Sequence, residues 1–221
     1  MKRKSYSETV ERVNGFEEIK NEFNFECQMC GLCCSGLQDV WLEPYDIFRL
    51  SRFGFKEVVT TNYLFEKEIL EIVFDEKLNL PFCKIKFKNE LCPFLEKIEN
   101  YKFGCKLHKT KGKPFVCQLS PIARTLDESF NEKFYIVAPD ENCKGMEVSK
   151  NQNLENWLEN LKEERVLEYS KEFYQILEKV GLQSGTVENL WELLYNFDRN
   201  SKIYFKEFNE VWFQIKKMAV T

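Results

Sequence analysis

Four cysteines lie close together near the start of the chain, at positions 27, 30, 33 and 34. Residues three apart fall on one side of helical or turn backbone, so Cys27, Cys30 and Cys33 can converge on one centre. A Cys-x2-Cys-x2-Cys run of this kind is typical of iron–sulfur ligation. Cys34 directly follows Cys33, and neighbouring side chains in extended backbone point apart. We therefore expect this pair to serve different metal ions, or to leave one thiol in a supporting role.

The other five cysteines come singly, at positions 83, 92, 105, 117 and 143. Most of them stand in or beside a loop signal, such as Cys92-Pro93 or Gly104-Cys105. Ligands this far apart in sequence predict a metal that joins distant segments. A lone cysteine is more often a small buried apolar residue. We prefer that interpretation for Cys83, which lies in an apolar, strand-like stretch.

Composition favours metal binding over a disulfide scaffold. The nine cysteines are an odd number in a chain of 221 residues, larger than the usual disulfide-rich domain. The basic N-terminus is not followed by an apolar stretch of signal-peptide type, and no run approaches membrane-spanning length. We therefore expect a cytoplasmic protein with free thiols, which ligate zinc or iron. The net charge of −4 does not indicate any particular class of binding partner.

The elements that position these cysteines predict an α+β fold. We expect a polar lead-in and short helix at residues 1–24, a small irregular cysteine-rich metal-binding domain at 25–146, and a helical C-terminal extension at 147–221. The N-terminal helix is inferred from Phe16, Ile19 and Phe23, which are spaced to share one helical face.

Turn residues and apolar periodicity set the predicted elements inside these ranges. Pro44 suits the first turn of a helix that continues to about Phe53, with Gly54 as its stop. Short apolar runs predict strands at 40–42, 69–74, 83–87, 122–126 and 134–138, in a small antiparallel or irregular sheet. Apolar residues three or four apart predict helices over 154–181, around 187–197 and around 205–218.

Several motifs, in consistent order between about residues 25 and 146, carry a family resemblance. They are Cys27-Gln-Met-Cys30-Gly-Leu-Cys33-Cys34, Leu42-Glu-Pro-Tyr-Asp46, Cys92-Pro-Phe-Leu95, Cys105-Lys-Leu-His108, Lys113-Pro-Phe-Val-Cys117 and Cys143-Lys-Gly145. The chain resembles the CxxCxxCC family of YkgJ-like proteins, described as zinc- or iron-chelating domains or iron–sulfur oxidoreductases. The resemblance implies eight metal ligands and leaves out Cys83; they are Cys27, Cys30, Cys33, Cys34, Cys92, Cys105, Cys117 and Cys143.

Three positions depart from the pattern of the family. His108 stands where the family usually has tyrosine, and Lys113 and Gln118 stand where it commonly has arginine. Lysine and glutamine do not reproduce the bidentate contacts of a guanidinium group. Any role of those arginines toward an anionic substrate or a metal cluster is therefore not carried over to this chain.

Three functions are open to such a chain. The first is an iron–sulfur protein, of the [4Fe-4S] type, with a redox, sensing or protein-modification-assisting role. The second is a zinc protein in which closed four-cysteine sites hold loops together as a structural or interaction module. The third is a protein lysine N-methylase-like enzyme, since some relatives are linked to lysine methylation. The chain shows no recognisable S-adenosylmethionine loop, so the sequence identifies no catalytic residue.

Two polar features have plain structural interpretations that we prefer. His108, the only histidine, forms a Cys-x2-His pattern with Cys105 that suits a zinc pair or a catalytic dyad, but an exposed loop histidine is the simpler interpretation. Asp46 is expected to lie near a helix start, where a carboxylate favours the positive end of the helix dipole.

Five lysines and no acidic residue lie between Lys102 and Lys113. We expect this loop to offset the negative field of nearby thiolates. The alternative is a protein partner, which would be acidic if it binds this loop and which could instead bind the C-terminal helices. Aromatic stacking motifs and helix-turn-helix signals are missing from the sequence, so nucleic acid is disfavoured, and no membrane contact is expected.

Overall fold

The computed structural model describes residues 16–35, 39–99, 102–181, 190–198 and 208–220. Its strands are β1 (Glu22–Asn24), β2 (Trp41–Leu42), β3 (Leu70–Asp75), β4 (Leu80–Ile85), β5 (Leu95–Glu99), β6 (Lys102–Cys105), β7 (Ile122–Leu126), β8 (Glu132–Ile136) and β9 (Asn151–Asn153). Its α-helices are α1 (Pro44–Phe53), α2 (Thr61–Glu66), α3 (Phe115–Leu119), α4 (Leu154–Glu163), α5 (Val166–Gly181), α6 (Leu190–Tyr195) and α7 (Phe208–Val220). The predicted α+β class is confirmed.

The strands form several small antiparallel sheets. β2, β4 and β3 make a three-stranded sheet in that order, while β5–β6 and β7–β8 are separate hairpins. β1 pairs with β9, which is distant in sequence. The β3–β4 pairing is the longest and places Ile72 opposite Cys83. The strands are short, as predicted, but they are divided among separate small sheets rather than gathered in one.

The helix predicted over Phe16 to Phe23 is wrong. Glu18 forms an isolated bridge with Tyr135, and β1 pairs with β9. Phe23 and Phe25 are both buried and alternate with exposed Asn24, so a period of two residues prevails over the helical spacing of Ile19 and Phe23. Residues 1–15 of the predicted lead-in lie outside the described residues.

Most other predicted elements are confirmed. Helix α1 spans Pro44 to Phe53 as predicted, with Pro44 in its first turn and Gly54 as its C-cap. Strand β7 has the predicted bounds, whereas β8 begins two residues earlier than predicted. The predicted helix over 154–181 is divided in two, because Arg165 adopts a left-handed backbone conformation with φ of 57°.

Large aromatic side chains pack where α1, the three-stranded sheet and the C-terminal helices meet. Phe173 on α5, Tyr195 on α6 and Trp212 on α7 are all nearly inaccessible to solvent. Phe208 stacks on Trp212 with ring centroids 5.4 Å apart and also contacts Phe48 of α1. We call the aromatic core the set Phe48, Phe82, Phe173, Tyr195, Phe208 and Trp212. Residues on both sides of position 147 share it, so the C-terminal helices pack on the cysteine-rich part of the chain.

A second apolar cluster joins the first residues of the described chain to α4. Phe23 and Phe25 contact the Trp157 ring edge-on at 5.3 and 6.0 Å. Trp157 also donates a hydrogen bond from its indole nitrogen to the carbonyl oxygen of Leu119, at the end of α3. This cluster fixes the two ends of the segment that carries the cysteines. In the described part of the chain, no helix has both the length and the apolar character to cross a membrane.

Candidate metal centre

A short loop presents the first cysteines. Leu32–Cys34 forms one turn of 3-10 helix, in which the Cys34 amide donates to the Gly31 carbonyl at 3.0 Å. Gly31 has φ of 78°, in the left-handed region that glycine adopts at low cost. An added Cβ at Gly31 would stand 2.9 Å from the Phe103 Cβ atom, so the loop lies directly against β6. Gly31 is therefore required by both conformation and space.

Backbone hydrogen bonds join this loop to the segments that carry later cysteines. The Cys92 amide donates to the Cys34 carbonyl at 2.9 Å, and the Phe103 amide donates to the Met29 carbonyl at 2.8 Å. On the other side, the Glu26 amide donates to the Gly145 carbonyl at 3.2 Å. The segments around Cys92, Cys105 and Cys143 are thereby held beside the loop. We call residues 26–35, 91–99, 102–117 and 143–146 the thiol region.

Helix α3 delivers Cys117, and its start is fixed by Asp46. One carboxylate oxygen of Asp46 accepts a hydrogen bond from the Phe115 amide at 2.7 Å, and the other accepts from the Glu43 amide at 3.1 Å. Asp46 is buried, and burial raises its pKa although the charge of Arg49 and the two amide hydrogen bonds lower it. The predicted location of Asp46 in the first turn of α1 is confirmed. Its contact with Phe115, across the fold, was not foreseen.

Five thiols come together at the centre of this region; we call the inner group Cys33, Cys34, Cys92, Cys105 and Cys117. The sulfur atoms of Cys33 and Cys34 are 3.8 Å apart. The hydrogen bond with Cys34 raises the pKa of Cys33 well above its ordinary value. That same contact lowers the pKa of Cys34, but a hydrogen bond with Cys92 and burial outweigh it and raise the pKa to about 12.

The pKa values of Cys105 and Cys117 are also changed by the other thiols of the inner group. Burial raises the pKa of Cys117, and the nearby Cys34 thiol raises it further. Burial also raises the pKa of Cys105, with a smaller contribution from Cys33. Lys113 acts in the opposite direction and lowers the pKa of Cys33, Cys105 and Cys117. A cation at this place therefore favours the thiolate form.

Two further thiols lie at the edge of the inner group. Burial raises the pKa of Cys143, and among the other thiols the charge of Cys30 contributes most, followed by that of Cys33. We call Cys30 and Cys143 the outer pair. Cys27 is exposed at the start of the loop. The structure thus gathers seven of the eight predicted ligands, while the ligand role of each remains a prediction.

Cys83 occupies a different environment. It is fully buried in β4, where it pairs in register with Leu42 and Ile72 of the neighbouring strands. Burial raises the pKa of Cys83 well above its ordinary value, followed by the charges of Glu71 and Asp46. It packs within the same apolar cluster as the aromatic core.

His108 lies on the exposed side of the lysine-rich loop. Its amide donates to the Cys105 carbonyl at 2.9 Å, which forms a turn. The charge of Lys113 lowers the pKa of His108, with smaller contributions from burial and Lys109. The positive charges of the nearby lysines therefore disfavour the protonated form of the imidazole.

The donors fit a soft metal ion, although they are not closed around one. All nine cysteines are free, and the inner group and the outer pair offer only sulfur, which suits zinc and iron. Among the residues that the structure describes, no three Cys, His, Asp or Glu side chains form a group that holds a metal.

Sulfur ligands drawn from separate segments, held on a small α+β scaffold, define a cysteine-cluster metal-binding protein. Comparison with known families agrees, since residues 26–144 match the model of the CxxCxxCC family, described as "Putative zinc- or iron-chelating domain". The match covers just over half of the chain, and the chain belongs to this family. No curated protein and no solved structure matches the chain.

Sequence reasoning missed two features of this site. The β5–β6 hairpin, which carries Cys105, was not predicted because charged residues interrupt its apolar pattern. Asp46 was assigned only to the dipole of α1, although it also fixes α3. The Leu-Glu-Pro-Tyr-Asp motif placed Asp46 near a helix start but gave no signal for a partner 69 residues away.

Proposed function

We propose that the chain holds an iron–sulfur cluster of the [4Fe-4S] type and serves a redox, sensing or protein-modification-assisting role. The observation that carries this proposal is the convergence of the inner group from four separate segments of the chain. A cluster bound by such thiolates supplies one-electron transfer at a potential set by its surroundings. The Cys-x2-Cys-x2-Cys spacing of Cys27, Cys30 and Cys33 supports iron–sulfur over a single ion.

The residues of the chain contribute a scaffold and an electrostatic field. Backbone bonds from Cys92 and Phe103 to the loop hold the thiols side by side. Ligating thiols must lose their protons, and the raised pKa of Cys34 makes that loss dependent on a bound cation. Lys113 offsets part of the negative charge that results. Cys33 and Cys27 are exposed, which leaves the centre accessible from one side.

Zinc is the second candidate, and one distance favours it. In a tetrahedral thiolate site with Zn–S bonds of about 2.3 Å, the sulfur atoms stand about 3.8 Å apart. Cys33 and Cys34 already have this separation. A cluster of several irons spreads its ligands over separate corners, so a pair this close suits a single ion better. The nine free thiols suit the reducing conditions of the cytoplasm with either metal.

Anaerobic purification decides between the two metals. Iron, zinc and acid-labile sulfide are measured together with the visible absorption spectrum. Iron and sulfide in matched amounts, with broad charge-transfer absorption, support the cluster. Stoichiometric zinc without sulfide replaces it with the zinc protein, and protein that binds neither metal on reconstitution refutes both. Cys83→Ser is the matched control and is expected to retain the metal content of the wild type.

A further inference from the structure

Exposed apolar side chains border the thiol region. Leu91 precedes Cys92 and is 48% exposed, and Val116 precedes Cys117 and is 42% exposed. Ile98 is 49% exposed and lies against Gly104, since an added Cβ there would stand 2.3 Å from its Cδ1 atom. Met29, 38% exposed, precedes Cys30. Each ligand-bearing segment from the loop to α3 thus carries a large apolar side chain in contact with water.

Exposed lysines lie on β6 and on the loop that joins it to α3. Lys102, Lys106, Lys109 and Lys111 are all exposed. The loop is anchored by Leu107, which is 1% exposed, and by the close approach of Gly112 to Gly54. Hydrogen bonds from the His108 amide to Cys105 and from the Thr110 amide to Leu107 form its turns. The loop therefore presents its lysines from a fixed backbone.

The charge of this part of the chain is opposite to that of the whole. Residues 95–113 contain six lysines and two glutamates, a net charge of +4, whereas the complete chain carries −4. The two glutamates, Glu96 and Glu99, lie on the exposed β5 strand. A local positive field on an acidic protein attracts acidic partners and speeds their association.

We propose that the chain has a docking surface for an acidic protein. The name docking surface is used below for Met29, Leu91, Ile98 and Val116 together with the lysines of residues 102–111. An apolar centre with a charged rim is the usual arrangement of a protein–protein interface, and methionine is enriched there. The exposed apolar residues are aliphatic or methionine, whereas binders of single-stranded nucleic acid stack bases on aromatic rings. The docked protein lies against the thiols, so this proposal rests on the proposed metal centre and gives that centre its partner class.

The test uses two fluorescent peptides of equal length and charge, one of glutamate and leucine and the other of glutamate and serine. Binding to the metal-loaded protein is measured by anisotropy at an ionic strength of about 0.1 M, where the screening length is about 10 Å and distant charges are largely screened. We expect the leucine peptide to bind more tightly than the serine peptide. Lys106→Glu/Lys109→Glu/Lys111→Glu is expected to weaken both by about tenfold or more.

Matched variants distinguish binding at the docking surface from the general effects of net charge and hydrophobicity. Lys20→Glu/Lys133→Glu/Lys179→Glu changes the same charge at exposed lysines elsewhere and is expected to change binding less than about twofold. Leu91→Ser/Val116→Ser is expected to remove the advantage of the leucine peptide. Phe74→Ser/Leu78→Ser, at exposed apolar residues of the β3–β4 hairpin, is expected to keep it. Lys113 is left unchanged because its charge acts on the thiols.

Three outcomes overturn the proposal. Equal losses in the two lysine variants show that no local surface exists. Tighter binding of an oligothymidylate of equal charge than of either peptide assigns the surface to nucleic acid. Self-association in sedimentation that the Lys106/Lys109/Lys111 variant abolishes assigns it to a second copy of the chain. Metal content is measured for every variant, so a failure of the metal centre is seen separately from a failure of docking.

Discussion

The aromatic core is built from large side chains that contact one another, whereas the thiol region is built from short turns joined by backbone hydrogen bonds. Phe208, for example, contacts the rings of Phe48, Phe197 and Trp212. The loop at Gly31 instead depends on amide bonds from Cys92 and Phe103. Burial of apolar surface stabilises the first region on its own. The second is the region whose stability we expect to depend on metal binding, if its thiols are the ligands that the sequence predicts.

The same residue type shows this difference most directly. Cys83 is enclosed by the three-stranded sheet and behaves as a small apolar side chain. Cys34 lies among other thiols: the contact with Cys33 lowers its pKa, whereas the hydrogen bond with Cys92 and burial raise it. The role of a cysteine in this protein, as a buried apolar residue or as a candidate metal ligand, therefore depends on the residues around it.

The largest effect is expected from Cys117→Ser. This change removes one thiolate from the inner group, and loss of a ligand exceeds the roughly 100-fold loss of affinity seen when only a supporting group is removed. Metal analysis of the purified variant should show less than stoichiometric metal, and thermal unfolding should occur at lower temperature. Equal metal content in Cys117→Ser and wild type would remove Cys117 from the ligand set.

Phe173→Ala tests the aromatic core and should leave the metal in place. Phe173 is 2% exposed, and truncation of a buried phenylalanine costs about 3–5 kcal/mol of unfolding free energy. Urea unfolding of the metal-loaded protein measures the loss, and metal analysis before unfolding is the control. Release of metal from the folded variant would show that the two regions are not separable.

Glu43 gives the region between α1 and α5 a dependence on pH. Its carboxylate accepts a hydrogen bond from the Ser170 hydroxyl at 2.7 Å, and burial followed by the charge of Asp46 raises its pKa from 4.5 to about 8. The folded state therefore holds the proton more tightly than the unfolded state. This contribution to stability is full below pH about 4.5 and is lost as the pH rises toward 8.

Glu43→Gln should remove that dependence. Between pH 4.5 and 8 the unfolding free energy of the variant should fall by at least about 1 kcal/mol less than that of the wild type, the value of one pKa unit. Glu159→Gln, at an exposed position on α4, is the matched control. Parallel curves for wild type and Glu43→Gln would mean that Glu43 does not titrate in this range.

The smallest effect is expected from Lys113→Met. Lys113 lowers the pKa of three inner thiols, and its charge favours the negative product of metal binding. Partly exposed charges act weakly through solvent, so we expect a loss of metal affinity of only about threefold. Competition with a chelator at low and high salt measures it, and Lys109→Met is the exposed control. An unchanged affinity at low salt would show that Lys113 has no electrostatic role.

Local signals predicted one part of this fold well. Pro44 begins α1 as predicted because its ring suits the first helical turn, and the apolar run Ile122–Leu126 gave β7. Gly54 follows α1 as predicted, although its backbone is right-handed and the reason for glycine there is space, since an added Cβ would stand 2.5 Å from the Leu50 carbonyl oxygen. The β5–β6 hairpin was missed because Glu96, Lys97 and Glu99 hide its period-two pattern. Strand β1 was missed because its partner, β9, lies more than a hundred residues away.

The candidate site shows the same limit. Residue spacing places three cysteines of the first motif on one side of the backbone. It does not show which of the later cysteines lies beside which cysteine of that motif. The hydrogen bond of Cys34 with Cys92, and the electrostatic effect of Cys30 on Cys143, depend on backbone bonds between segments distant in sequence. The bond from Phe115 to Asp46 likewise has no local signal. Long-range pairing of this kind is fixed by the assembled fold.

The distance in sequence between Cys34 and Cys143 has a consequence for the time at which the centre is made. About 110 residues separate the two cysteines, and at about 5–20 residues per second their synthesis is about 5–20 s apart. During that interval the early thiols have left the ribosome without their later neighbours. If Cys143 is a ligand, as the sequence predicts, insertion of the metal as a complete centre follows synthesis of residues 143–146, and the first four cysteines wait in the free thiol form until then.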